Sequence, residues 1–126
     1  MTFKVGIDVG GPTKGFHAVA LEDGRYRDQI ATGSIDELVR WCVQEQSAAV
    51  IAIDAPCAWS MDGRCRPAER ALMGKGIWCF ATPTRAMAEA HPKKHFHWML
   101  NGMRLYDALA ATHPVRDPRA GCVRRR

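Results

Sequence analysis

The chain has 126 residues, 47% of them hydrophobic and 25% charged, with a formal net charge of +5. That length suits one domain whose core hides roughly two-thirds of the unfolded surface, and the composition excludes a disordered chain. No apolar run approaches the roughly 18 residues of a membrane-spanning helix, so no membrane partner is expected. The length also excludes enzymes that close two domains on a nucleotide.

The positive charge is unevenly placed. Residues 115–126 hold Arg116, Arg119, Arg124, Arg125 and Arg126 against Asp117, or +4, and the rest of the chain sums to +1. The surplus is therefore expected in a solvated, disordered Arg-rich tail, after a domain spanning 1–114. Five cysteines stand at 42, 57, 65, 79 and 122. They form no C-x-x-C pair, and Met1-Thr2-Phe3 leads straight into strand-like sequence. The expectation is five free thiols in a cytoplasmic protein without a leader. Cys57 and Cys65 with His91, His95 and His97 lack the paired short spacings of a zinc site.

In chain order, residues 3–9 (FKVGIDV) predict a strand ending near an acid. Gly10 to Gly15 form a turn, and 16–22 predict a second strand. Asp23-Gly24 is a hairpin signal. The more polar 25–32 predicts a third strand near a sheet edge. Ser34 and Glu37 fit a capping box, and Ile35, Leu38, Val39 and Cys42 predict a helix over 34–46. The apolar run 48–54 (AAVIAID) predicts a strand buried on both faces. Pro67 starts a short helix ending before Gly74 and Gly76. Residues 77–80 read as a short strand or a buried loop, and a helical piece follows Thr82-Pro83-Thr84-Arg85. Over 95–112, Phe96, Met99, Leu100, Met103, Tyr106 and Leu109 form one apolar stripe of a longer helix.

Asp8 and Asp54 carry the candidate chemistry. Each follows an apolar run, so each stands where a strand leaves the core. On adjacent parallel strands their carboxylates would emerge at one sheet end and repel unless a cation lies between them. Mg²⁺ or Mn²⁺ suits such a pair, because Mg²⁺ takes one or two carboxylates and keeps waters. Metals held this way clamp the oxygens of a phosphodiester. The alternative is that each Asp only caps its own turn.

These residues carry a resemblance. Val5-Gly6-Ile7-Asp8-Val9-Gly10-Gly11 with Gly15-Phe16-His17-Ala18-Val19 resembles the first hairpin of the ribonuclease H-like superfamily, and Ile51-Ala52-Ile53-Asp54-Ala55-Pro56 its fourth strand. The narrower match is the domain of unknown function 429 family, predicted nucleases of RNase H fold. Its Arg-rich segment corresponds to Arg64-Cys65-Arg66-Pro67-Ala68-Glu69-Arg70, and its Thr-Pro-x-Arg motif to Thr82-Pro83-Thr84-Arg85. Residues 98–106 (WMLNGMRLY) resemble the helix that follows. The resemblance spans 3–114. It implies an α/β fold with an RNase H-like mixed sheet, β-β-β-α-β-α in order, and a metal-dependent nuclease, a hydrolase acting on nucleic acid.

On that resemblance, Asp8 and Asp54 match two acids of the superfamily's metal site. Arg66, Arg70 and Arg85 match basic positions that would face phosphate, the other reading being ion pairs with Glu69 or Glu89. Lys14 would meet phosphate or point into water. Family members continue into a fifth strand bearing a Glu, which the sequence after residue 114 does not resemble. The expectation is a truncated domain with a weak, poorly active metal site, for which Asp62, Glu69 or Asp117 are substitute acids. It also leaves the outer edge of the fourth strand to be covered by 77–80, by a second copy, or by aggregation. Competing readings are a non-catalytic interaction module and a phosphate-binding fragment of the actin and sugar-kinase ATPase superfamily, whose hairpin Asp8-Val9-Gly10-Gly11-Pro12-Thr13 fits. The short Holliday-junction-resolvase-like family also shares the first strand.

Overall fold

A computed structural model describes residues 1–115. The first three strands form an antiparallel meander: β1 (Phe3–Val9), β2 (Phe16–Glu22) and β3 (Arg25–Thr32). Asp23 and Gly24 both have positive φ, 50° and 81°, as the tight β2–β3 turn requires. β1 alternates, with Val5, Ile7 and Val9 buried and Lys4, Gly6 and Asp8 exposed.

Helix α1 (Ile35–Arg40) is capped by the Ser34 hydroxyl, which accepts from the Glu37 N–H at 3.2 Å. The capping box closes only halfway. The Glu37 carboxylate accepts from the Thr32 hydroxyl at 2.8 Å, and the Ser34 N–H donates to that same hydroxyl at 3.0 Å. The helix does not run on as an α-helix to 46. Residues Trp41–Glu45 form a wider π turn closed by Gln46 N–H on the Trp41 carbonyl at 2.8 Å. The widening buries consecutive Trp41 and Cys42. Trp41 Nε1 and Gln46 Nε2 reach Asp28 Oδ2 at 3.4 and 3.0 Å.

Strand β4 (Val50–Asp54) pairs parallel with β1, giving a four-stranded mixed sheet of order β3-β2-β1-β4. β1 is therefore central and β3 lies at an edge, as expected. The burial expected for 48–54 is corrected. β4 starts at Val50 and alternates between exposed and half-buried positions, with Val50 52% exposed. It stands at the end of the strand order. The core of Val5, Ile7, Val9, Leu38, Trp41, Leu105 and Leu109 forms on one face of the sheet. On the other face Lys4, Asp8, Ala52 and Asp54 are exposed.

Three more helices follow: α2 (Pro67–Gly74), α3 (Arg85–Ala90) and α4 (His97–Leu109). The apolar stripe expected on α4 is rotated. Met99, Leu105 and Leu109 are buried with Asn101 and Gly102, while Leu100, Met103 and Tyr106 are only half-buried. The reason is close packing: a Cβ on Gly102 would lie 2.7 Å from Ala55 Cβ, so this face meets the strand ends. Residues 77–80 are neither strand nor buried loop, with Ile77, Trp78 and Phe80 all more than half exposed. They do not pair with β4, although Cys79 and Phe80 border a cleft beside Ile53 and Asp54. The segment around α4 also reaches it, Tyr106 at the Ile53 carbonyl and His113 Nε2 at the preceding Ala48 carbonyl, 2.7 Å away.

Cys42, Cys65 and Cys79 are free, but Cys57 is disulfide-bonded. The expectation of five free thiols is thereby corrected; sequence spacing does not limit which distant cysteines a fold brings together. Arg116, Asp117, Arg119, Cys122 and the rest of the Arg-rich segment lie outside the described residues, save Val115. Among the described residues no helix is long and apolar enough to cross a membrane.

Candidate functional site

Asp8 and Asp54 are register partners in the parallel β1–β4 ladder, so both side chains leave the same face of the sheet at neighbouring strand ends. Adjacent strands lie about 4.8 Å apart. Both carboxylates are on the open face, and His17 is the partner of Asp8 on the β2 side.

The turn after β1 folds back on Asp8. Gly10 N–H donates to the Gly15 carbonyl and Gly15 N–H to the Gly11 carbonyl, each at 2.8 Å. A Cβ on Gly10 would lie 2.7 Å from the Gly15 oxygen, and Gly15 has φ +70°. Only glycine fits this loop. It returns Lys14 to Asp8, where Nζ donates to Oδ2 at 3.2 Å. Lys14 is therefore neither free in water nor simply aimed outward; it neutralises one of the two acids.

Helix α4 fixes both strand ends. Asn101 Nδ2 donates to the Gly10 carbonyl at 3.0 Å, just beyond β1. The Tyr106 hydroxyl donates to the Ala55 carbonyl at 2.8 Å, just beyond Asp54. Burial pushes the Tyr106 phenol above its ordinary range; nearby Arg66 opposes the rise and the Asp54 charge adds to it.

A cleft of about 290 Å³ opens beside Asp54, lined also by Arg66, Glu69, Phe80, Thr82 and Trp98. Glu69 is buried but committed. Its oxygens accept from the Arg66 N–H at 2.8 Å, Arg66 Nε at 3.3 Å, the Thr82 N–H at 2.9 Å and the Thr82 hydroxyl at 2.7 Å. Burial pushes its carboxyl up, but the Arg66 and Thr82 hydrogen bonds and the Arg66 charge outweigh this and hold it below the ordinary range. Glu69 thus caps α2 and ties down the Thr82 loop.

Of the three arginines, the structure brings Arg66 to the Asp54 cleft but not the other two. Arg70 pairs with Asp62 at 3.1 Å and Arg85 with Glu89 at 2.7 Å, all four largely exposed. Asp62 is further held by the Arg64 N–H at 2.9 Å. Neither Asp62 nor Glu69 is thus placed as a spare ligand. Among the described residues no group of three or more His, Cys, Asp or Glu converges as a metal cage. The donor set at the strand ends is two hard carboxylates, which fits a cation that keeps most of its waters.

A second cleft, of about 420 Å³, shares Trp98 with the first and is lined also by Lys14, Lys94 and His97. Trp98, Lys94, His97, Asn101 and Tyr106 were not among the site residues expected from sequence. The available signal was an Asn and a Gly inside an apolar helical stripe, which cost helix stability unless a close contact needs them.

Residues 6–125 match the family described as "Protein of unknown function (DUF429)". That match runs past residue 114, where the motif resemblance stops. Comparisons with curated proteins and with solved structures gave no match.

Proposed function

The chain belongs to the DUF429 family, and from the carboxylate pair we propose that it is a metal-dependent hydrolase of phosphodiesters with an RNase H-like sheet. The observation that carries this reading is the β1–β4 register, which sets Asp8 beside Asp54 on one open face. The strand order β3-β2-β1-β4, with β2 antiparallel and β4 parallel to β1, supports the RNase H-like assignment.

Asp8 and Asp54 would hold Mg²⁺ or Mn²⁺, which supplies Lewis-acid polarisation of a phosphoryl oxygen. Lys14 neutralises Asp8 when no cation is bound and is released toward a phosphate oxygen when one is. Arg66 adds positive charge at the Asp54 cleft, and Asn101 and Tyr106 keep the two strand ends in register. Two carboxylates hold a hydrated cation weakly, so turnover is expected to be slow.

The test is cleavage of an end-labelled oligonucleotide with Mn²⁺, with EDTA, and with Asp8→Asn and Asp54→Asn. Cleavage that needs Mn²⁺ and is lost in both variants is the expected result. Undiminished cleavage in either variant would assign the reaction to other residues.

A further inference from the structure

The near-zero charge of the body conceals a polarity. Residues 1–63 carry five Lys and Arg against nine acids, whereas 64–104 carry eight against only Glu69 and Glu89. Both of those acids are already paired, with Arg66 and Arg85. Among the described residues Lys75, Lys93 and Lys94 make no ion pair, so the helical half presents a net positive surface.

That surface also exposes aromatic rings. Trp78 is 76% and Phe80 57% exposed, with ring centroids 4.9 Å apart. The ring contacts continue from Phe80 to His95 and from His95 to Phe96. Phe80 and Trp98 line the Asp54 cleft, and Trp98 also lines the cleft of Lys14, Lys94 and His97. Aromatic platforms and cationic side chains therefore alternate along one strip that passes the carboxylate pair.

A patch built only for a protein partner has no need of unpaired lysines around its rings. A duplex keeps its base faces stacked inside, out of reach of such rings. A single strand offers both a phosphate backbone for the lysines and free base faces for the rings. We propose that the strip from Lys14 and Lys94 through Trp98 to Phe80 and Trp78 binds a single-stranded polynucleotide. Phosphates lie at Lys94 and His97, with Lys14 joining them once a cation takes its place on Asp8, and bases stack on Trp98 and on the Trp78–Phe80 pair. This rests on the phosphodiester reading of Asp8 and Asp54 and specifies its substrate as single-stranded.

The experiment is fluorescence anisotropy of labelled dT15, U15 and a 15-base-pair DNA duplex against the full chain, in EDTA so that no cation is required. Both single strands should bind at least tenfold tighter than the duplex. Trp78→Ala, which removes a ring outside the core, should weaken single-strand binding by about five- to hundredfold. Lys94→Gln should weaken it and lower the salt slope by about 0.7. Equal binding of duplex and single strand, no binding at low salt, or a Trp78→Ala variant that binds like the parent would each overturn the proposal. Strand binding without Mn²⁺-dependent cleavage would sink the hydrolase reading and leave this one standing. A Mn²⁺-dependent cleavage confined to duplex would do the reverse.

Discussion

The Tyr106 hydroxyl donates to the Ala55 carbonyl at 2.8 Å, tying α4 to the residue that follows Asp54. Asn101, on the same helix, does the equivalent for the chain just beyond Asp8 and Val9. One helix therefore braces the two strand ends whose register sets Asp8 beside Asp54, 46 residues apart in sequence. Tyr106→Phe keeps the ring and deletes the donor. It should cost about 0.5–1.5 kcal/mol in urea unfolding and should also reduce any stabilisation by Mn²⁺. An unchanged urea midpoint would show that the hydroxyl bond carries no weight.

Gly102 lets α4 approach the strand end. Gly102→Ala places a methyl group 2.7 Å from Ala55 Cβ and should destabilise by about 1–3 kcal/mol. Ala55→Gly removes the opposing atom. In a double-mutant cycle the pair should lose about 0.5–3 kcal/mol less than the sum of the single losses. Additive losses would mean that the helix shifts without meeting Ala55.

Glu69 links stability to acid pH. Its carboxyl is held below the ordinary range in the folded protein. Its contribution is therefore complete above the unfolded-chain value of about 4.3 and is lost as pH falls through the lower folded value. Urea midpoints for the parent chain should drop across that window. Glu69→Gln should start lower at neutral pH and lose less of its midpoint on acidification. Parallel pH profiles for the two proteins would remove Glu69 from the account.

Lys14 competes with a cation for Asp8. The pair is exposed, so Lys14→Gln should change stability by less than about 1 kcal/mol. The same substitution should raise Mn²⁺ affinity several-fold in a titration followed by thermal melting, because the cation no longer displaces an ammonium group. A fall in affinity would mean that Lys14 organises the site rather than guarding it.

Burial separates the thiols. Cys42 is fully buried and its thiol is pushed up to about 11. Half-buried Cys79 should react first with iodoacetamide at pH 8, and Cys42 should react only on unfolding. Rapid native labelling of Cys42 would contradict the packing of the π turn.

The strand bounds of the meander were legible because period-two alternation and an Asp-Gly turn fix them locally. β4 was legible as a strand but not as a half-exposed one. Whether an apolar run is covered on both faces depends on which helices pack there, and VIAID alone does not encode that. The Asp8–Asp54 pairing could be anticipated, since each acid follows an apolar run. The pairing of Arg66 with Glu69 and of Arg85 with Glu89 was legible too, as the ion-pair alternative, because the partners stand three and four residues apart on one helical face. Arg70 was not: its partner Asp62 is brought to it by the path of the preceding loop. Tyr106 was read as part of an apolar stripe because an aromatic ring gives no sequence sign of where its hydroxyl points. The strip of rings and lysines was hidden by a net charge summed over two oppositely charged halves.

The most direct test of the carboxylate pair is a thermal melt with and without Mn²⁺ on the parent chain, Asp8→Asn and Asp54→Asn. A two-carboxylate site with a dissociation constant of about 1 mM gains about 1 kcal/mol at about 5 mM Mn²⁺. That corresponds to a rise of about 3–6 °C in Tm for a chain of this size. That rise is expected in the parent chain, and its loss in both variants. A Mn²⁺-dependent rise that survives both substitutions would place the cation elsewhere and contradict the assignment of Asp8 and Asp54.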